Sequence, residues 1–111
     1  MAKLGYLYLN NDVWDQKQVI PKGWIQDSTK KQKEVPESLW YFMKEYGYFW
    51  WIRSTENHYS FTALGWQGQF IYIIPDFDMV VAFTAVDEDS RDSERPYLRV
   101  IDNFIVPSVI K

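Results

Sequence analysis

The chain has 111 residues and a mass of 13.3 kDa, the size of one domain with a modest hydrophobic core, which excludes a two-domain enzyme. A net charge of −3 and a single cluster of cations, Lys30, Lys31 and Lys33, argue against a surface that follows nucleic-acid phosphates. No apolar run approaches the roughly 20 residues of a membrane span, no signal peptide is visible, and the lack of cysteine excludes disulfides and thiolate zinc sites. We therefore expect a soluble single domain.

A helix is predicted at the start of the chain. Met1, Leu4 and Tyr8 lie on one face when residues 1–9 are helical. Turn residues at 10–12 then end the helix, and a loop with a short extended piece is expected before the next element.

Two further short helices are predicted before the middle of the chain. Pro21 is typical of a first helical turn, so the second helix is expected to run to about residue 30. Pro36 permits a third helix, which Gly47 ends. Their predicted buried residues are Trp24, Ile25 and Ser28 in the second helix and Leu39, Trp40 and Met43 in the third.

The middle of the chain has the composition of an antiparallel meander. Runs of β-branched and aromatic residues, separated by turn residues, predict strands over residues 46–53, 59–64, 69–74 and 79–86. The turns between them are expected at 54–57, at the glycine bend 65–68 and at 75–78. Trp50 and Trp51 should point to opposite faces of the first strand, one ring under the final helix and the other exposed or against a missing part.

A final helix is predicted over residues 94–106, after a charged loop over 87–92 and a cap at Asp92 or Ser93. Its apolar stripe should lie across the sheet and consists of Tyr97, Leu98, Ile101, Phe104 and Ile105. The predicted fold is therefore α+β: an antiparallel meander of three to four strands, with N-terminal helices and a C-terminal helix packed on the sheet.

Five segments, in order along the chain, carry a resemblance to a known family. They are Met-Ala-Lys-Leu-Gly at 1–5 with Tyr8, Leu9 and Trp14; Lys-Gln-Val-Ile-Pro at 17–21 with Trp24; the Tyr-Gly-Tyr run at 46–52; Ala-Leu-Gly-Trp-Gln-Gly-Gln at 63–69; and Ile74-Pro75. Together they resemble the C-terminal part of the serine β-lactamase-like hydrolases, the superfamily of class C β-lactamases, DD-peptidases, esterases and 6-aminohexanoate-dimer hydrolases. The match covers almost the whole chain, so it implies the C-terminal segment of such an enzyme and a partial β-lactamase-like fold.

The resemblance implies that the nucleophile lies upstream of this segment. In the family, the serine of a Ser-x-x-Lys motif attacks the acyl carbonyl, and the lysine and a Tyr-x-Asn tyrosine take part in proton transfer. The formal matches in this chain are Ser28-Thr-Lys-Lys31, Ser108-Val-Ile-Lys111 and Tyr8-Leu-Asn10. We interpret all three as accidental, because their local context is wrong and the tyrosine precedes Ser28. No catalytic residue, metal or cofactor is therefore predicted, and the chain alone should be inactive.

The resemblance also implies a substrate-binding strand edge, the family's third motif, whose backbone supplies an oxyanion-hole amide. Its residues here are Ala63, Gly65, Trp66, Gln67 and Gly68. No Lys or His precedes Gly65, and Gln67 stands where relatives often have a second glycine, which would narrow the pocket. A purely structural interpretation is equally favoured, in which Gly65 and Gly68 form a bulged entry to a hairpin.

Other polar residues have simple interpretations. His58 is the only histidine and is predicted to lie in a surface turn, where it cannot form a zinc site. Asp76 and Asp78 are ordinary turn residues. The acidic loop over 87–92 lacks the glycine and terminal glutamate of a calcium loop and is expected to be solvated.

Two functions from different classes remain open at this point. One is the hydrolase segment; the other is an autonomous binding or interaction domain whose aromatic surface takes a partner chain or a small ligand, since six tryptophans contribute to a 19% aromatic content. For the segment we expect either pairing with the N-terminal part of the hydrolase or a homo-oligomer. The oligomer would form through the sheet edge or by exchange of the first helix, with Trp50 or Trp51 near the contact.

Overall fold

The computed structural model describes residues 1–37, 43–65, 68–85 and 94–110. In chain order, the elements within these ranges are α1 (Ala2–Leu9), β1 (Val13–Trp14), β2 (Lys17–Gln18), α2 (Trp24–Thr29), β3 (Lys33–Glu34), β4 (Glu45–Tyr46), β5 (Trp51–Ser54), β6 (Tyr59–Leu64), β7 (Phe70–Ile74), β8 (Met79–Phe83) and α3 (Glu94–Val100), which continues as a π-helix (Ile101–Ile105) and a last α-helical turn, α4 (Val106–Val109). The predicted α+β class is confirmed. No helix in these ranges is long and apolar enough to cross a membrane.

Six strands form one antiparallel sheet in the order β3-β4-β5-β6-β7-β8, so neighbours in the sheet are also neighbours in sequence. The predicted meander is confirmed for β6, β7 and β8, in which Leu64 lies opposite Phe70 and Ile74 lies opposite Met79. The sheet is larger than the three to four strands predicted, because β3 and β4 have two residues each and are too short to show a period. Strands β1 and β2 form a separate hairpin.

The single strand predicted over residues 46–53 is wrong. Strand β4 ends at Tyr46 and β5 begins at Trp51, and between them the Gly47 N–H donates to the Trp50 carbonyl oxygen at 2.8 Å. The chain therefore makes a tight turn in the middle of the aromatic run and returns as a neighbouring strand.

The helix predicted from Pro36 to Gly47 is wrong at its C-terminal end. Glu45 and Tyr46 pair with β3 on one side and with β5 on the other. Met43 is fully buried, as predicted, but in a non-helical segment. The other predicted core residues of this helix, Leu39 and Trp40, lie outside the described residues.

Helix α1 packs on β7 and β8 through a glycine. A Cβ at Gly5 would lie 2.5 Å from Val80 Cγ1 and 2.9 Å from Ile71 Cγ2, so the helix comes closer to the sheet than any side chain at this position allows. The predicted helix is confirmed, but its predicted face is wrong at Met1 and Leu4, which are each 47% exposed. The core on this side of the sheet consists of Trp50, Ile52, Phe61, Ile71 and Ile73, with Tyr8 and Leu9 of α1 packed against them.

The C-terminal helix covers the opposite face of the sheet. The core there consists of Met43, Tyr72, Ile74, Leu98, Ile101 and Val106, with Trp51 among the half-buried residues packed against it. Trp50 and Trp51 therefore lie on opposite faces, as predicted, and Trp51 is on the side of the final helix. The expectation that the other ring is exposed or faces a missing part is wrong, because Trp50 is only 5% exposed and its ring lies 4.6 Å from that of Tyr8.

The predicted final helix is confirmed, but its apolar stripe changes along its length. Leu98 and Ile101 are buried as predicted, whereas Phe104 is 70% exposed and Val106 takes a buried position. The π-helical segment explains this change, because its wider turn shifts the inward-facing residues relative to an α-helical stripe. The predicted charged loop over 87–92 and the cap at Asp92 or Ser93 lie outside the described residues.

Helix α2 is shorter than predicted and buries its polar end. It begins after Gly23, which has a left-handed φ of 90°, so Pro21 precedes the helix instead of opening it. Trp24, predicted to be buried, is 42% exposed and stacks on Tyr48 with ring planes 9° apart. Ser28 is buried, as predicted.

Candidate functional site

Strand β6 ends at the predicted substrate-binding edge. Ala63 is half-buried on the α1 side of the sheet, and the Gly65 N–H donates to the Gln69 carbonyl oxygen at 2.7 Å, which closes the bend. Gly68 has a φ of +92°, and a Cβ there would lie 2.7 Å from the Tyr97 ring. The fold itself therefore requires glycine at 68, and substrate binding at this edge stays a prediction. The remaining predicted site residues, Trp66 and Gln67, lie outside the described residues.

The serines of the formal Ser-x-x-Lys matches are engaged with helix backbone. Ser28 is fully buried and its hydroxyl donates to the Ile25 carbonyl oxygen at 3.2 Å, while Lys31 is bound to Glu34 at 2.8 Å. The Ser108 hydroxyl donates to the Ile105 carbonyl oxygen at 2.6 Å. In the described part of the chain, neither hydroxyl is hydrogen-bonded to a lysine.

A polar cluster lies on the face of the sheet opposite α1, under the C-terminal helix. Arg53 of β5 donates two hydrogen bonds to Asp102 of the π-helix, from Nη1 to Oδ1 at 2.8 Å and from Nη2 to Oδ2 at 2.6 Å. Its Nη1 also donates to the Tyr72 hydroxyl at 3.1 Å, and the Ser60 hydroxyl donates to the same oxygen at 2.7 Å. Nε2 of His58 is 3.3 Å from the Tyr72 hydroxyl. The hydroxyl of Tyr72 in β7 thus contacts side chains of β5 and β6, and Arg53 links this group to the helix through Asp102.

The charges of this cluster are set by burial and by its own hydrogen bonds. Burial opposes the charged form of Arg53, but the hydrogen bonds to Asp102 and Tyr72 outweigh it and raise the pKa of Arg53. Burial lowers the pKa of His58, and the charge of Arg53 lowers it further, while Asp102 and Asp76 oppose the shift. The folded chain therefore holds a charged guanidinium beside an imidazole that favours its neutral form.

A cavity of about 280 Å³ opens beside the cluster and is lined by Arg53, Thr55, Glu56, Asn57, His58, Asp102 and Val106. Binding and catalytic sites often combine a concave opening with a buried charge and a histidine whose pKa is shifted. A structural ion pair can also shift the pKa of its neighbours. The hydroxyls of Ser60 and Tyr72 are fully buried and do not line this opening, whereas Thr55 does line it, with its Oγ1 3.3 Å from Nδ1 of His58. The Thr55 hydroxyl accepts hydrogen bonds from the backbone N–H groups of Asn57 and His58. The arrangement can position and bind polar groups.

The sequence does not predict this cluster, and the surface turn predicted for His58 is wrong. His58 was expected in a surface turn, but it is 5% exposed, and Thr55 Oγ1 lies 3.3 Å from its Nδ1. One signal was present in the sequence, because Ser60 and Tyr72 occupy the strand positions that face the final helix, where apolar residues are the rule. Two polar side chains on one buried face require partners.

A buried acid, apart from the polar cluster, lies between α1 and α2. Asp12 is 1% exposed and has a left-handed φ of 67°. Its Oδ1 has no hydrogen-bond partner in the described part of the chain. Burial raises the pKa of this carboxyl, against a smaller opposing effect of the Ile25 backbone N–H that donates to it. Asp12 therefore favours the neutral form more than an exposed aspartate does.

Comparison with known proteins does not identify the chain. It matches no protein-family model and no curated protein. Among the described residues, no group of three or more His, Cys, Asp or Glu side chains is placed to hold a metal ion.

Proposed function

We propose that this chain is the C-terminal segment of a β-lactamase-related serine hydrolase and that it has no hydrolytic activity by itself. The observation that supports this most is the outer edge of β8. No described strand pairs with it, although helices pack on both faces of the sheet. Such an edge can receive another strand. In the family that the sequence resembles, N-terminal strands pair with this strand set and a helical region packs against its helices.

The reaction that the resemblance implies for the whole enzyme is acyl transfer from an ester, an amide or a β-lactam through an acyl-serine. In that enzyme this chain would contribute the strand edge at Ala63 and Gly65. The nucleophile and its base would come from the missing part, which agrees with the hydrogen bonds that hold Ser28 and Ser108 to their helices.

The first expected result is that the purified chain does not accelerate hydrolysis of p-nitrophenyl acetate or of a chromogenic cephalosporin beyond the rate given by a denatured sample. The physical reason is that Ser28 and Ser108 donate their hydroxyl protons to helix carbonyl oxygens and have no lysine partner among the described residues that could activate them. Ser28→Ala and Ser108→Ala serve as matched variants. Turnover by the wild-type chain that either substitution abolishes would show a working nucleophile here and would overturn the proposal.

The second expected result is self-association of the isolated chain at micromolar concentration. Because the outer edge of β8 has no strand partner among the described residues, two copies can pair through it, or they can exchange α1. These routes differ in their contacts. Strands β6 and β7 separate β8 from β5, so a β8 contact does not involve Trp50 or Trp51, whereas exchange of α1 places Trp50 in the contact through its packing on Tyr8.

Sedimentation equilibrium and an edge variant distinguish these routes. Ala82 is an exposed residue of β8, and Ala82→Lys should weaken a β8-mediated dimer by about tenfold or more, because a lysine on an edge strand opposes pairing. Gln18→Lys, on the exposed hairpin strand β2, is the control and should leave association unchanged. A dimer that is insensitive to Ala82→Lys indicates exchange of α1. A 13.3 kDa monomer with no concentration dependence would contradict the expected assembly and favour an autonomous domain.

The alternative function is a binding domain with an aromatic surface, and one observation favours it. Phe49 is 86% exposed and has a left-handed φ of 66°, so this position combines the cost of exposing a large apolar side chain with backbone strain. The stacked pair Trp24 and Tyr48 is also partly exposed, at 42% and 46%. The gene sequence upstream decides between the two proposals, since a hydrolase segment requires a Ser-x-x-Lys helix there and a binding domain does not.

A further inference from the structure

A second cavity, of about 290 Å³, lies between α1, α2 and the α1 side of the sheet. Three aromatic rings form its wall, those of Tyr8, Tyr59 and Phe61, and the Phe61 ring lies 6.4 Å from that of Tyr8 and 6.1 Å from that of Tyr59. The Tyr59 hydroxyl donates to the Thr29 carbonyl oxygen, which fixes this ring against α2. The aromatic corner is therefore held in place by helix and sheet together.

The remaining lining determines which ligands suit this cavity. Leu9 and Ile25 add aliphatic surface, and no described lining residue carries a charge. The exposed polar side chains of the lining, which form its rim, are the amides of Asn11 and Gln26, and these both donate and accept hydrogen bonds. The Thr29 hydroxyl is buried and donates to the Ile25 carbonyl oxygen. A charged ligand would lose hydration without gaining an ionic partner here.

The size of the cavity limits the ligand to one or two rings. A closed apolar cavity of about 150 Å³ holds one benzene molecule, and the pockets of drug-sized ligands begin at about 300 Å³. We propose that this cavity binds a small neutral aromatic molecule of one or two rings, with its body against Tyr8, Tyr59 and Phe61 and one uncharged polar group at the amide rim. This inference is independent of the proposed hydrolase origin, because the cavity uses neither the edge of β8 nor the bend after β6.

Indole is a suitable probe, since it is neutral, has two fused rings and carries one N–H donor. We expect saturable binding of indole to the full chain in a calorimetric titration, and nuclear Overhauser effects from indole protons to the ring protons of Phe61 and Tyr59. Tryptamine, a cation, and indole-3-acetate, an anion, should bind at least about tenfold more weakly, because their charges find no partner in the cavity.

A cavity-filling substitution provides the matched test. Ile25→Phe places a larger side chain at the cavity wall and should weaken indole binding by at least about tenfold, whereas Ile20→Phe, at a half-buried position that does not line this cavity, should leave it unchanged. If Ile25→Phe does not fold, the nuclear Overhauser effects from indole to Phe61 and Tyr59 in the wild-type chain still test the same site. The proposal is wrong if indole does not bind saturably, if its contacts lie away from Phe61 and Tyr59, or if a charged analogue binds as tightly as indole.

Discussion

Gly47→Ala is expected to lower the free energy of unfolding by about 3 kcal/mol. A Cβ at this position would lie 2.2 Å from the backbone oxygen of Ser28 and 3.0 Å from that of Lys30. Both obstacles are backbone atoms, which cannot turn away as a side chain can. The end of α2 would have to separate from the turn between β4 and β5, with loss of the 2.9 Å hydrogen bond from the Tyr48 N–H to the Ser28 oxygen.

The control for this prediction is Gly23→Ala at the other end of α2. A Cβ there meets no atom within 4 Å, but the φ of +90° makes alanine unfavourable by about 1 kcal/mol. Urea unfolding of the two variants separates the steric cost from the backbone cost. A Gly47→Ala variant as stable as Gly23→Ala would contradict the prediction, because it would show that α2 and the turn can move apart at a cost of only about 1 kcal/mol.

Gly47 also separates the parts of the fold that local sequence patterns encode from those that depend on tertiary contacts. Strands β6, β7 and β8 are predictable because each is bounded by turn residues and carries a run of β-branched or aromatic side chains. Gly47 was expected to end a helix, because glycine is common there. Its actual function is a close approach between a turn and a helix from another part of the chain, and no local pattern encodes that distance.

The C-terminal helix gives a second example. Its position follows from apolar spacing, but the stripe predicted from a period of 3.6 residues fails at Phe104, because the π-helical segment changes the period. That segment also carries Asp102, which pairs with Arg53 across 49 positions of sequence. A pair formed over this separation depends on the finished fold.

Among the candidate sites, those marked by local sequence are predictable and those formed by tertiary contacts are not. The glycine bend at 65–68 is visible in the sequence because glycines mark special backbone positions, and Gly68 does have a positive φ. The polar cluster and the aromatic cavity were not predicted, because each combines side chains from separate elements that only the sheet and its helices bring together.

Asp102→Asn is expected to lower the free energy of unfolding by about 2 to 3 kcal/mol. The side chain of Arg53 is 16% exposed, so loss of the carboxylate leaves a largely buried guanidinium without a counter-charge. The expected loss of stability is smaller than for a fully buried ion pair, because the Asp102 side chain is 34% exposed. Water can therefore reach this side of the pair and partly replace the lost carboxylate as a partner of Arg53. Asp27→Asn is the matched control, since Asp27 pairs with Lys30 at 3.3 Å on the surface with both side chains 60% exposed, and it should cost no more than about 0.5 kcal/mol.

The double variant Arg53→Met with Asp102→Asn tests the cause of this loss. If the penalty comes from an uncompensated buried charge, removing the guanidinium relieves part of it. The loss of stability in the double variant should then be smaller than the sum of the Arg53→Met and Asp102→Asn losses by about 1 kcal/mol or more. Urea unfolding at neutral pH measures all four chains. Strictly additive losses would show that Arg53 and Asp102 do not stabilise each other despite their two hydrogen bonds. The cluster would then owe its order to the Tyr72 hydroxyl, which Arg53, Ser60 and His58 all contact.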